Sequence, residues 1–316
     1  MIKKILYRKI LVASSLLLVL FMLYLIPSNE EVKFTKSDFE YVYPNDLRVI
    51  YLLDSNNYVS RTMISVSNKE EDKIIYDLIE GLTIGSKYED KIQNGFRGII
   101  PSSTYVNDIK MEDDLLMVDF SSGLLDVDKN YEEEMIESII YTLTSIEGIN
   151  RVSLSVEGKK LSNLPYSNKI LPEFLDRSYG INKEYDLVST SKIDSYIIYY
   201  VSSVNDTNYY VPVTKYINDN NRDKIKVIID ELRASYIMES NLSSYLNSNV
   251  KLLDYEIDNE SIKLNFSNSI FSDINSNSIL EEVIYTISLS VMDNVDVNKV
   301  IFMVDNNLVC ETSNIN

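Results

Sequence analysis

One pattern is spelled twice in this chain, and that repeat constrains the fold more than any other feature of the sequence. MVDFSSGLLD at 117–126 returns as KLNFSNSIFSD at 263–273, SIIYTLTS at 138–145 as EVIYTISL at 282–289, and VSLSVEGKKL at 152–161 as VIFMVDNNLV at 300–309. Equivalent positions lie about 144 to 148 residues apart, too far for a solenoid period and right for two tandem domains. A first strand is expected at 47–54 and again at 196–201, both β-branched and aromatic and ending in Asn, Asp or Ser. A helix at about 69–82 follows, with Asn68 and Glu71 as a capping box and Ile75, Leu78, Ile79 and Leu82 on one face. Ile225, Ile228, Ile229 and Leu232 repeat that stripe.

A hairpin comes next in each copy. Leu116, Val118 and Phe120 share one strand face with Asp119 opposite. Ile262, Leu264 and Phe266 repeat the phase, with Lys263 and Asn265 opposite. Because a one-residue slip would expose the whole apolar set, the matched phase fixes the alignment of the copies. Glu112-Asp113-Asp114 and Asp258-Asn259-Glu260 suit tight turns. A second helix carries Ile136, Ile139, Ile140 and Leu143, matched by Leu280, Val283, Ile284 and Ile287. A last strand carries Val152, Leu154 and Val156, matched by Val300, Phe302 and Val304. Each copy therefore reads β-α-β-β-α-β, an α+β domain of two layers with helices on one face of a mostly antiparallel sheet. The boundaries are 45–161 and 194–310. Residues 162–193, with Pro165 and Pro172 and no sustained period, read as a partly ordered connector.

Ahead of the repeats, residues 10–26 form an uncharged apolar run, ILVASSLLLVLFMLYLI. At 1.5 Å per residue it spans about 25 Å, and extension back to Ile5 with Arg8 and Lys9 snorkelling reaches a hydrocarbon core of about 30 Å. Lys3, Lys4, Arg8 and Lys9 precede it and Glu30 and Glu31 follow, so the positive-inside rule puts the N-terminus in the cytoplasm and the repeats outside. The following LIPSNEE has no small-residue cleavage site, which makes 1–29 an uncleaved transmembrane anchor in this reading.

Composition then narrows the chemistry. The chain has no His and one Cys, so His-dependent triads, dyads, general bases and metal sites are excluded. Cys310 reads as a small core residue. Beyond residue 29 there are 26 basic against 48 acidic residues, and such a surface repels a phosphate backbone. Asp126 to Glu137 resembles an EF-hand loop, but Tyr131 stands where the loop needs Gly. Asn130 as a helix cap, with Glu132 to Glu134 favouring the positive helix end, accounts for the stretch. Asp54, Asp77, Asp114 and Asp119 are the carboxylates that could hydrolyse sugars. Nothing in the sequence pairs them, and Asn265 replaces Asp119 in the second copy, so they read as solvated strand surface. No catalytic, cofactor-binding or metal residue is assigned. Tyr199, Tyr200, Tyr209 and Tyr210 form a cluster suited either to a protein interface or to strand surface.

Glu80-Gly81-Leu82, Ile100-Pro101, Val118-Asp119-Phe120-Ser121, Ile140-Tyr141-Thr142-Leu143-Thr144 and Val156-Glu157-Gly158 together resemble the GerM family, sporulation and spore germination proteins with tandem GerMN domains. Tyr179-Gly180-Ile181-Asn182 is similar to the segment between those domains, and the resemblance covers about 45–309. The second copy departs from it by losing the Pro and by carrying Asn265 and Asn306 for Asp and Gly. The resemblance implies domains like the ring-building modules of secretion machines. It also implies an extracytoplasmic, non-enzymatic assembly protein that supports a channel complex between mother-cell and forespore membranes. The family often uses a lipid-modified Cys where this chain has an apolar run. A carboxylate-dependent hydrolase of cortex peptidoglycan, or a wall-binding module, is the alternative.

Overall fold

Each repeat opens with a hairpin in place of the single strand expected from the sequence. The computed structural model describes Leu17 and residues 37–38, 47–218, 221–234, 241–272 and 277–313. The expected anchor at 10–26 lies, apart from Leu17, outside the described residues; among those described, no helix is long and apolar enough to cross a membrane. Residues 36–316 group as one unit containing both repeats.

A two-residue strand β1 (Ser37–Asp38) precedes the first repeat. That repeat runs through β2 (Leu47–Asp54), β3 (Val59–Ser65), α1 (Glu71–Gly81), β4 (Phe96–Arg97), β5 (Val106–Glu112), β6 (Leu115–Phe120), α2 (Glu132–Leu143), β7 (Arg151–Val156) and β8 (Lys159–Lys160). The connector adds β9 (Glu184–Asp186). The second repeat comprises β10 (Ile193–Val204), β11 (Thr207–Asn218), α3 (Lys224–Ala234), β12 (Leu252–Asp258), β13 (Ser261–Phe266), α4 (Glu281–Met292), β14 (Lys299–Val304) and β15 (Asn307–Ser313).

The expected strand phases fold as read, whereas Leu280, expected in the buried stripe of the last helix, is its exposed N-cap. Leu116, Val118 and Phe120 on β6, and Ile262, Leu264 and Phe266 on β13, are fully buried. Both turns are two-residue connections, Glu112 pairing with Leu115 and Asp258 with Ser261. In each repeat this strand also pairs in parallel with the strand after the second helix, β6 with β7 and β13 with β14. A closing hairpin follows. Its turn residues, Glu157-Gly158 and Asp305-Asn306, all have positive φ, as a two-residue turn that matches strand twist requires.

The unanticipated strands change the architecture. No strand is expected from the sequence at β3 or β11, and their polar residues Ser60, Arg61, Thr62 and Thr214 are buried. Burial follows from position. The hairpins β2–β3 and β10–β11 join edge to edge, Tyr210 opposite Arg61, into one six-stranded sheet shared by the repeats, in the order β10-β11-β3-β2-β4 with β9 beside β11. Each repeat keeps a sheet of its own besides, β5-β6-β7-β8 in the first and β1-β15-β14-β13-β12 in the second. The two copies are therefore fused through backbone hydrogen bonds.

The connector is built into this body. Leu164, Leu171, Leu175 and Ile181 are buried in the core that holds α1, α2 and the shared sheet, together with Ile197, Tyr199, Tyr285 and Leu289 of the second repeat. Leu175 and Val152 exchange backbone hydrogen bonds at 2.7 and 2.8 Å. Asn182 ties three segments: its Oδ1 accepts from Val59 N, and its Nδ2 donates to the Val59 and Pro212 carbonyls, spanning β3 and β11. Pro165 and Pro172 conceal this order from a search for periodicity, because the connector packs through isolated bridges.

Two expected caps are not formed. Glu70 is the N-cap of α1 and makes no side-chain cap bond, while the Asn68 amide donates to Asp77. Tyr131 is the N-cap of α2, and Asn130 instead donates its N–H to Asp128 Oδ1. Gly81 packs closely on the core: a Cβ there would lie 2.8 Å from Ile64 Cδ1 and 2.9 Å from Ile50 Cδ1, so those two side-chain ends would have to shift. Leu175→Ala is expected to lower stability by about 2–5 kcal/mol. Denaturant unfolding followed on both repeats should shift as a single transition, whereas a loss confined to a separate early phase would place the connector outside the core.

Candidate functional site

The two repeats meet around equivalent residues. Tyr51 on β2 and Tyr199 on β10 occupy the same place in each copy. Tyr51 N donates to Thr142 Oγ1 and Tyr199 N to Ser290 Oγ, both at 2.9 Å, so Thr142 corresponds to Ser290 and the second helices align one turn away from the match of 138–145 with 282–289 expected from the sequence. Their hydroxyls hydrogen-bond each other at 3.1 Å. Into this centre the connector inserts Arg177. Its guanidinium donates to Asp293 Oδ1 at 2.5 Å and to Thr144 Oγ1 at 3.2 Å, and lies 5.1 Å from the Tyr141 ring centroid and 5.9 Å from that of Tyr51. Tyr199 OH donates to Asp293 Oδ2 at 2.7 Å, and Tyr141 OH to the Arg177 carbonyl at 3.0 Å. Burial lowers the proton affinity of Arg177, but Asp293 and the surrounding tyrosines more than restore it, so it stays charged. Burial, and then the Asp293 charge, push the Tyr141 and Tyr199 hydroxyls well above the ordinary tyrosine range. An open cleft of about 690 Å³ lies over the pair, bordered by Glu147, Asn150, Asp176 and Asn298.

A second charged centre fixes the connector to α2. Glu132 accepts N–H bonds from Tyr166 and Ser167, both at 2.8 Å. Lys183 Nζ donates to Glu137 at 2.5 Å and to Glu133 at 2.7 Å, and Lys169 Nζ donates to Glu133 at 2.5 Å. Glu137 also accepts from Asn182 N at 2.9 Å. Burial raises the Glu137 carboxyl to about 7 against the pull of Lys183. The acidic first turn of α2 thus clamps the connector in addition to favouring the helix end. Glu137, the twelfth position of the calcium-like loop, is turned toward Lys183.

The four candidate carboxylates sit in four separate hydrogen-bond systems. Asp54 is buried and accepts from Asn56 N, Tyr58 N, Ser60 Oγ and Tyr209 OH. Asp77 is buried with Asn68 and Lys87. Asp114 faces Arg151, whose side-chain hydrogen bonds hold its carboxyl below the usual range. Asp119 Oδ1 accepts from Ser155 Oγ at 2.6 Å and Gly158 N at 2.8 Å, and Oδ2 from Asn107, which likewise lowers it. Asp54 and Asp77 are buried and therefore differ from the solvated surface acids expected, whereas Asp119 is part-exposed on the strand surface and hydrogen-bonded there. The second repeat rebuilds the Asp119 clasp with an amide at that position and a carboxylate, Asp254, on the neighbouring strand. Asn265 Oδ1 accepts from Asn306 N at 3.0 Å, and its Nδ2 donates to Asp254 and Asn306. Gly158 and Asn306 both have left-handed φ, 71° and 66°, so the paired replacements preserve one turn. The tyrosine cluster is an interface within the chain. Tyr199, Tyr200 and Tyr209 are buried, Tyr209 packs on Phe96, and Tyr210 stacks on Tyr285 at 5.3 Å.

The family model described as "Germane: Sporulation and spore germination" matches residues 49–162 and again 197–310. The chain belongs to this family. It is 32% identical over 262 residues, 80% of this chain and 70% of the relative, to the spore germination protein GerM of Bacillus subtilis (strain 168). It is also similar to the solved tandem GerMN domains of the sporulation protein GerM from Bacillus subtilis, with a TM-score of 0.76, 29% identity, and coverage of 83% of this chain and 91% of that one. The family motifs can now be read physically. Asp119 and Gly158 form the hairpin clasp, Thr142 accepts from the backbone of β2, and Asn182 ties the repeats together.

Arg177, Lys183 and Asp293 do not stand out in the sequence. Basic residues in an otherwise acidic chain, placed beside the buried Leu175 and Ile181, are the available signal. Asp293→Ala is expected to cost about 1.5–3 kcal/mol by removing the charge-assisted bonds to the partly buried Arg177, and Arg177→Met in the same chain should recover part of the loss; denaturant unfolding measures both. For Glu137, a raised folded-state pKa contributes stability that is full below the unfolded value near 4.5 and lost as pH rises through about 7. The melting temperature of the wild type should therefore fall across pH 5 to 8 relative to Glu137→Gln.

Proposed function

We propose that this chain is a membrane-anchored, extracytoplasmic, non-enzymatic assembly protein of sporulation and germination. Two fused GerMN repeats act as one rigid body that presents protein-binding surfaces to a complex between mother-cell and forespore membranes. The observation that carries the reading is the commitment of the candidate carboxylates to structural bonds, above all the replacement of the Asp119 clasp by Asn265 and Asn306 with the turn intact. Such a position keeps a hairpin closed whether or not it is charged. Membership of a sporulation and germination family supports the setting. The apolar run at 10–26 and the basic residues before it support the anchor and its orientation.

The proposed role is that of a stiff spacer. Tethering at the membrane raises local concentration, and the two repeats, with different surfaces on a shared core, offer distinct contacts from one chain. A strain lacking the gene should fail in spore formation or germination, and the chain carrying Asp114→Asn and Asp119→Asn should restore both. Restoration by the wild type alone, with the double variant stable and correctly located, would favour carboxylate catalysis over assembly. Normal spores from the deletion strain would remove the role altogether.

A further inference from the structure

The first repeat carries an apolar groove that the second repeat has replaced. Its volume is about 430 Å³, and it lies between the C-terminal end of α1 and the start of β5. Tyr76, Ile84 and Tyr105 line it and are 41%, 48% and 66% exposed. The repeats can be compared there residue by residue. Tyr105 N donates to Ser121 Oγ and Ser121 N to the Tyr105 carbonyl; Lys251 makes the same two bonds with Ser267. Tyr105 therefore corresponds to Lys251 and Thr104 to Val250. The buried stripe of α1, Ile75, Leu78, Ile79 and Leu82, matches that of α3, which places Lys226 at Tyr76. The fold accepts lysine at both aromatic positions, so the exposed rings serve something other than folding.

Two further features point to a ligand. Thr104, which lines the groove, is buried, and its Oγ1 has no hydrogen-bond partner; burying such a hydroxyl is costly unless something completes it. The groove also runs into Val106, the first residue of β5, which among the described residues is the edge of its sheet with a strand on one side only. An extended segment in the groove could continue along that edge by strand addition. The local charge selects among extended segments. Glu80 lines the groove at the negative end of α1; the Lys87 ammonium beside it is shared by Glu80 and Asp77 at 2.6 and 3.3 Å, and Lys110 on β5 is paired with Asp108 at 3.1 Å. In a chain of formal charge −18, a second copy of itself is a poor occupant.

We propose that this groove and the β5 edge bind an extended segment of a partner protein that alternates basic with apolar or aromatic residues. The proposal rests on the reading that the chain works through protein contacts, but its test uses no spore phenotype, so the two can fail separately. The probe is a short fluorescent peptide alternating lysine with valine and tyrosine, titrated by anisotropy into the full chain in neutral-detergent micelles, beside a peptide with glutamate for lysine. The basic peptide should bind. Tyr76→Lys with Tyr105→Lys, the residues the second repeat itself carries, should weaken binding by about tenfold or more with no change in melting temperature. Tyr76→Ser with Tyr105→Ser should do the same without adding charge, and Thr104→Val should weaken binding by about threefold. Absence of binding by the wild type, equal binding of the acidic peptide, or undiminished binding by the two double variants would overturn the proposal. So would self-association of the chain that the double variants abolish, since the occupant would then be a second copy.

Discussion

Everything at the centre of this molecule is arranged around one partly buried charge, the guanidinium of Arg177. It arrives on the connector, belongs to neither repeat, and is neutralised by Asp293 of the second while lying against Tyr51 and Tyr141 of the first. An ion pair so placed repays its desolvation only when the remaining donors and acceptors are also matched. Here Thr144, Tyr199 and the Arg177 carbonyl complete the set. The geometry therefore holds only if connector and repeats are all in register. The shared sheet adds cooperativity, because β3 and β11 meet backbone to backbone and Asn182 closes their junction.

Much of the fold was legible. The period-two phases of Leu116, Val118 and Phe120 and of Ile262, Leu264 and Phe266 fixed two hairpins, and the apolar stripes fixed the helix faces except at Leu280, which is the exposed N-cap of α4. Apolar periodicity reports burial against a core, and these elements have one apolar side. It says nothing of β3, where Ser60, Arg61 and Thr62 are buried between two strands and Ser60 donates to Asp54. Nor does it report the connector, whose order comes from single leucines and from carboxylates of α2. The polar centre was harder still. Tyr199, Tyr200 and Tyr209 read as candidate surface because a tyrosine hydroxyl suits water as well as it suits Asp293 or Asp54.

The repeats have diverged in a way that separates architecture from surface. Where a polar position closes a turn, the substitutions are paired and the bonds survive, as with Asp119 and Gly158 against Asn265 and Asn306. Where a position faces outward, the chemistry changes freely, as with Tyr105 against Lys251. Duplication followed by fusion through a common sheet yields a body whose two ends are built alike and present different faces. Such a body is suited to holding unlike components at a set separation.

The central claim is that the repeats form one body and do not move as two domains on a linker. The most direct test is the distance between spin labels on Lys110→Cys in β5 and Lys263→Cys in β13, measured by pulsed electron resonance with the native Cys310 buried and unreactive. A single narrow distribution, unchanged by added viscogen or moderate salt, is the result expected of a fused pair. A broad or two-peaked distribution would contradict it.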